Sequence, residues 1–205
     1  MSDPADVTVD LLTDATPAVR AAVHRVLTAV VALGGAVGWT HVPAPTETDD
    51  WLDAELALAA AGRGGVCLVS VGGRVEALGV WGAYTPAVIA QNAEIRKVMV
   101  HPDARGRGLA REVMRALTAS ARDAGIEVLL LDARGNNHAA HALYQSLGWT
   151  EYGRIPNFIA IGEDRWDRVC YYLELQHPLG ARLRGSTPVG PGASLPRDGG
   201  GNAAR

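Results

Sequence analysis

The sequence predicts an α/β fold: a mixed central β-sheet of about six to seven strands flanked by about four helices. Three observations predict it. Strand-length apolar runs share the chain with helix-length amphipathic ones. Two of those runs, 66–71 and 75–83, flank Gly72-Gly73, which signals a hairpin and so an antiparallel pair. Further on, a strand, helix, strand, helix, strand succession fills 94–155, which sets helices on the faces of the sheet.

The elements follow in order. Val7 to Leu12 is a short strand. Thr16-Pro17 starts a helix, with Thr as N-cap and Pro at the first helical position. Val19, Val23, Val26, Leu27 and Val30 recur at helical spacing, and Gly34-Gly35 ends the segment. Residues 36–49 read as irregular, and a short helix is expected from Asp50 to Ala61. After the hairpin, Glu94 to Val100 is a strand. Leu109 to Ala124 is an amphipathic helix with Leu109, Val113, Leu117 and Ala121 along one face and Gly125 just past its end. Ile126 to Leu131 reads as a central strand buried on both faces. Asn137 to Leu147 is a helix closed by Gly148, and Trp149 to Ile155 and Val169 to Leu175 complete the sheet.

Composition bounds the class. The chain has 205 residues, 48% of them hydrophobic, enough for one domain with a core. Residues 1–177 read as that domain. Residues 178–205, rich in Gly, Pro, Ser and Arg with no apolar period, read as a disordered tail. A formal net charge of -3 excludes an overall basic field for nucleic acid or an anionic membrane. Lys97 is the only lysine. Cys67 and Cys170, far apart and each inside an apolar run, read as buried reduced thiols. The start, MSDPADVTVD, has neither the basic nor the apolar region of a secretory signal. No run approaches the ~20 apolar residues of a membrane span. The expectation is a soluble cytoplasmic protein.

The segment from Glu94 to Ala110 carries the most chemical information. Pro102 stops the strand ladder, and Gly106 and Gly108 free the backbone just before a helix begins. Such a turn aims several N–H groups at one point, backed by the positive end of the helix dipole. Arg105 and Arg107 add charged donors. That combination suits a phosphate or pyrophosphate. The same residues also make an ordinary strand-to-helix loop with solvated arginines, and spacing alone does not choose. A P-loop is disfavoured because no Gly-Lys-Ser/Thr follows. The dinucleotide fingerprint is disfavoured because its third glycine is missing.

Arg105-Gly106-Arg107-Gly108-Leu109-Ala110, preceded by Val98-Met99-Val100-His101-Pro102, resembles the acetyl-CoA signature of the GNAT N-acetyltransferases. That signature reads Gln or Arg, x, x, Gly, x, Gly or Ala. Its second half follows downstream as Asn137, Ala140, Leu143-Tyr144 and Leu147-Gly148-Trp149, with Trp where the family usually has Phe. The likeness covers about residues 94–175, and residues 1–90 fit the architecture with little sequence signal. Within the family, the run from Glu94 through Asp132 and Tyr144, then Gly153-Arg154-Ile155-Pro156 and Tyr171-Tyr172, is similar to tabtoxin-resistance-type enzymes. Relatives of that type detoxify small antimicrobial amines.

The resemblance implies a GNAT fold, acetyl-CoA as co-substrate, and acetyl transfer to a primary amine of a small molecule by direct attack on the thioester. It implies that the backbone of Val98, Met99 and Val100 pairs with the pantetheine arm, a main-chain N–H there, that of Val100, stabilising the oxyanion. The N–H groups from Arg105 to Ala110 would hold the pyrophosphate. Asn137 would bond the pantetheine arm. It stands seven residues before Tyr144, two helical turns, so the two share a face. Its residue type also suits a plain helix cap. Tyr144 is the implied acid for the leaving thiolate, and Glu94 and Asp132 are the implied bases, directly or through water. The plain readings are a half-buried tyrosine, a solvated strand end and a turn-former.

Other features read more simply. His138 and His141 are three apart on one helix with no third ligand, so no metal site is expected. Trp39, Trp51, Trp81 and Trp166 wall a cleft or simply pack. Glu163, Asp164 and Asp167 fall in the loop before the last strand, where they attract a cationic amine or sit solvated. Within the family the alternative acceptors are peptides, lysines and polyamines. Outside it, the alternative is a catalytically silent acyl-CoA-binding module. The family also admits a homodimer.

Overall fold

Seven strands form one sheet in the computed structural model, which describes residues 6–35 and 37–175. In chain order they are β1 (Val7–Leu12), β2 (Gly64–Val71), β3 (Arg74–Ala83), β4 (Asn92–Val100), β5 (Val128–Arg134), β6 (Thr150–Ile161) and β7 (Asp164–Glu174). The α-helices among the described residues are α1 (Pro17–Ala32), α2 (Pro45–Ala60), α3 (Leu109–Asp123) and α4 (His138–Ser146). The sheet order is β1-β2-β3-β4-β5-β7-β6, antiparallel except for the parallel pair of β4 and β5. The expected tail, 178–205, lies outside the described residues.

Local signals explain most boundaries. The Thr16 hydroxyl accepts the Val19 N–H at 3.3 Å, and Pro17 follows it. Gly72 and Gly73 take φ values of 58° and 75°, as a tight turn between β2 and β3 requires. The four residues expected on the inner face of α3 are all buried.

Three expectations need correction. The second helix starts at Pro45, five residues before Asp50. Pro45 is preorganised for a first turn, and the Glu47 carboxylate reaches back to the Ala44 N–H at 2.8 Å. β5 begins at Val128, and its burial alternates, with Leu129, Leu131 and Ala133 buried and Leu130, Asp132 and Arg134 only half-covered. It is central but not buried on both faces. β6 and β7 extend into one long hairpin through Ile161 and Asp164, so the expected loop shrinks to the turn Gly162-Glu163. Asp164 and Asp167 lie in β7.

Two apolar clusters explain the half-covered face. Below the sheet, α3 and α4 bury Leu109, Val113, Leu117 and Tyr144 against Ile95, Leu129 and Tyr171. Above it, α1 and α2 cover β2, β3 and β4, with Leu12 of β1 at the margin, through Val23, Leu27, Leu52, Val66, Leu78 and Met99. The upper face of β5 and β7 is therefore left largely half-covered, with Asp132, Arg134 and Arg168 on it beside Leu130 and Tyr172.

The parallel pair is short. Asn92, Ala93 and Glu94 pair with Val128, Leu129 and Leu130, and beyond Glu94 the strands part. On its other side β4 slips register against β3, passing from Arg96 opposite Val80 to Met99 opposite Leu78. The bulge places Lys97 at φ 53°, the left-handed region that a lysine rarely occupies. A wedge thus opens in the middle of the sheet.

Candidate active site

The wedge is a cavity of about 840 Å³. It runs from the loop before α3, between β4 and β5, to the segment that links α1 to α2. Twelve of the thirteen sequence-predicted site residues line it: Glu94, Val98, Met99, Val100, Arg105, Gly106, Gly108, Leu109, Ala110, Asp132, Asn137 and Tyr144. Arg107 does not; its side chain is exposed.

At the α3 end the site is main chain. Gly106 and Gly108 take φ values of 76° and 79°, and Gly108 is the N-cap of α3. Left-handed glycines turn successive N–H groups to one side. Arg105 donates its N–H to Pro102, and Arg111 donates to Gly108. Among the described residues, the five N–H groups from Gly106 to Ala110 between them have no backbone acceptor. Aimed at a cavity from the start of a 15-residue helix, they form an anion nest.

Along the middle, the edge of β4 is open. The His101 N–H donates to Glu76 on the β3 side. By strand alternation the N–H groups of Val98 and Val100 turn the other way, into the cleft. In the interior of a sheet such groups call for a partner.

Tyr144 forms the floor. Its ring packs on Trp149 and Tyr171, with centroids 6.3 and 5.5 Å away. Its hydroxyl has no hydrogen-bond partner among the described residues, and the residue lines the cavity. Burial, with Asp132 and Tyr171 nearby, pushes its pKa up to about 12. The neighbouring Tyr171 differs: its hydroxyl lies 2.9 Å from His141 Nδ1, and His141 Nε2 lies 3.2 Å from the Gly135 carbonyl. That histidine is committed to structure. Asn137 caps α4, its side-chain oxygen accepting the Ala140 N–H at 3.3 Å, which leaves its amide nitrogen free to donate.

The two carboxylates are not equivalent. Asp132 forms an ion pair with Arg168 at 2.8 Å. Glu94 has no ion-pair or hydrogen-bond partner among the described residues. Burial raises its pKa, Arg96 opposes that, Asp132 adds to it, and Arg168 opposes it. Glu94 is therefore the less committed group, with its proton affinity raised by burial.

Four cations here escaped sequence reasoning. Arg96 is held by Glu55 of α2 at 2.8 Å, with Trp51 Nε1 donating to the same carboxylate. Arg134 donates to the Gly34 carbonyl at 3.2 Å, while its buried Nε has no partner. Lys97 donates to the Val37 carbonyl and lies 3.9 Å from the Trp39 ring. Arg168 reaches Asp132 diagonally across the β5–β7 pair, where Asp132 faces Cys170 and Arg134 faces Arg168. Alternation from Glu94 and Asp132 puts Arg96 and Arg134 on their faces, a signal that was present in the sequence. The register that brings Arg168 in had no local signal.

Of the acidic residues Glu163, Asp164 and Asp167 of the hairpin, Asp167 is already engaged, while Glu163 and Asp164 are exposed. Asp167 is 3.4 Å from Arg154 and accepts the Asn157 N–H at 3.3 Å. Trp81 packs in the core and donates to Ser120 at 3.0 Å. Cys67 and Cys170 are free and buried. No helix among the described residues is long and apolar enough to cross a membrane.

The model of the acetyltransferase (GNAT) family matches residues 36–149. The chain is 39% identical over 59 residues to an L-amino acid N-acyltransferase of Escherichia coli, covering 29% of this chain and 34% of that one. It is 31% identical over 88 residues to a ribosomal protein bS18-alanine N-acetyltransferase of the same organism, covering 43% of this chain and 60% of that one. The matches thus span about a third and three-fifths of those curated relatives. The fold is shared with an acetyltransferase from Salmonella typhimurium solved with its cofactor acetyl-CoA. The TM-score is 0.73 at 24% identity, over 83% of this chain and 95% of that one.

Proposed function

The chain belongs to the acetyltransferase (GNAT) family, and on that premise we propose that it transfers the acetyl group of acetyl-CoA to a primary amine of a small molecule. One observation carries the reading. A single cavity joins the nest of free N–H groups at α3 to a buried phenol and an unpaired carboxylate. Anion binding, proton donation and proton acceptance are what acetyl transfer from a pyrophosphate-bearing thioester needs.

The residues divide the work. The N–H groups from Gly106 to Ala110, with Arg105 beside them, hold the pyrophosphate. The outward N–H groups of Val98 and Val100 run along the pantetheine arm, and Val100 faces the developing oxyanion. Asn137 offers its free amide nitrogen to the same arm. Glu94 takes the ammonium proton, helped by its raised affinity for protons. Asp132 keeps Arg168 in place and the field at Glu94 in balance.

Tyr144 gives a proton to the leaving sulfur. With its pKa pushed up to about 12, full transfer to a separated thiolate near ~8.5 costs roughly 5 kcal/mol. The hydroxyl therefore shares its proton while the C–S bond is breaking. It regains one as the new amide sheds the second amine proton.

Two ties favour a small acceptor. Arg134 holds Gly34 and Lys97 holds Val37, so the α1–α2 segment closes one side of the cavity. An antibiotic, a toxin of the tabtoxin kind or an amino-acid-like metabolite fits that description. A peptide amino terminus is the second reading, favoured by the 31% identity to the bS18-alanine enzyme. A panel of amine antibiotics, amino acids, polyamines and peptides, with free thiol release as readout, tests both. Release that depends on a small amine supports the proposal. Release only with peptides replaces the acceptor. Stabilisation by acetyl-CoA with no release from any amine leaves a silent binding module.

A further inference from the structure

The chain's only lysine stands in the wall of this cavity. Lys97 occupies the bulge of β4, one residue before the outward N–H of Val98. Among the described residues its amine has no carboxylate within ion-pair distance. It donates to the Val37 carbonyl and lies 3.9 Å from the Trp39 ring and 5.7 Å from the Trp51 ring. The charged groups that face it are Glu55 of α2 and Arg96 of β4, and these two are spent on each other at 2.8 Å. Burial outweighs the pull of Glu55, Arg96 adds to it, and the amine falls to about 8. About a tenth of it is then neutral and nucleophilic at pH 7, far more than for an ordinary lysine.

We propose that Lys97 is a self-acetylation site, accepting the acetyl group from bound acetyl-CoA when no other amine fills the cavity. This rests on the acetyl-CoA reading above. The four-carbon stem swings off Trp39 and Val37. The neutral Nζ lone pair attacks the thioester carbonyl carbon, and an N–C bond forms. The C–S bond breaks, and the sulfur leaves with that electron pair. The sulfur takes a proton through Tyr144, and the surplus proton on nitrogen passes to Glu94 or water. The products are one amide and one free thiol, with no change of oxidation state. The amide is stable and uncharged, so it removes the cation from the Trp39 and Trp51 rings and adds bulk beneath the α1–α2 segment. The modified protein therefore turns over its amine more slowly.

A single lysine makes the test clean. The purified full-length protein is incubated with acetyl-CoA and no amine, and intact mass and peptide mapping follow the label. One acetyl group is expected on Lys97, at a rate independent of protein concentration and suppressed by excess CoA. The rate should fall about tenfold per pH unit well below the amine's pKa. Lys97→Arg should take no label there and keep its acetyl-CoA thermal shift. Suppose acetyl-CoA raises Tm and amines release thiol while Lys97 stays unmodified, or urea-unfolded chain is labelled as fast. Self-acetylation is then overturned and the transferase reading stands. If acetyl-CoA neither stabilises the protein nor turns over, both fall.

Discussion

The two ends of the cavity are made of different material. At the α3 end the working groups are main-chain N–H groups, turned by two left-handed glycines. At the β5 end they are side chains: Glu94, Asp132 and Arg168, balanced against each other across three strands. The first end is rigid and indifferent to which side chains surround it. The second is an electrostatic balance that any one substitution shifts. On the proposed function, binding is therefore concentrated at one end and tuning at the other.

The sharpest break of that contrast is at the glycine end. A Cβ on Gly108 meets nothing within 4 Å, so a side chain there starts in open space beside the nest and off the core, while φ 79° strains the turn by about 1–2 kcal/mol. Gly108→Trp should leave a folded protein and weaken acetyl-CoA by more than ~100-fold, about 2.8 kcal/mol. Circular dichroism and the acetyl-CoA thermal shift check the two halves of that statement. A variant that binds normally would mean that the nest is not the anchor.

At the side-chain end the largest effect belongs to Tyr144. Its hydroxyl makes no hydrogen bond, so Tyr144→Phe should barely change Tm, yet kcat should fall by about 100-fold with little change in the acetyl-CoA KM. Equal kcat would make the tyrosine a packing residue.

The carboxylates sharpen the contrast further. A base acts ionised, so turnover rises with pH through the Glu94 pKa, which burial lifts above the usual carboxylate range. Glu94→Gln should cost roughly 10–100-fold in kcat/KM and erase that rising limb. Asp132→Asn removes an influence that raises the Glu94 pKa and frees Arg168, which lowers it. The limb should move to lower pH, with a loss of about tenfold or less. If instead Asp132→Asn erases the limb and Glu94→Gln keeps it, the roles are exchanged.

The same contrast explains what the sequence made legible. A main-chain site is written in glycine spacing and in the strand-loop-helix order, so Gly106, Gly108 and the start of α3 could be read directly. Tyr144 and Asn137 were implied by the resemblance to the family signature, and their seven-residue spacing on one helix face agreed with it. The ion pair of Asp132 with Arg168 could not, because it depends on the register of β7 against β5. Lys97 looked like any strand lysine, since only glycine announces a positive φ. Pro45 and Glu47 did announce the start of α2, but the prolines around them read as irregular chain. The long β6–β7 hairpin was masked by polar alternation on an edge strand, where one side of each residue faces water.

The smallest expected effect separates two uses of one residue. Asn137 spends its side-chain oxygen on the Ala140 N–H and keeps its amide nitrogen for the cavity. Asn137→Ala removes both, so it should lose about 1 kcal/mol of stability and bind acetyl-CoA several-fold more weakly. Asn137→Ser keeps an oxygen that can cap the helix but has no amide to offer. Its Tm should stay near that of the parent protein while the acetyl-CoA KM rises by the same several-fold. Should both Tm and KM stay put in the serine variant, the residue is a cap alone. The backbone end of the site, with the β4 edge, then carries the coenzyme without it.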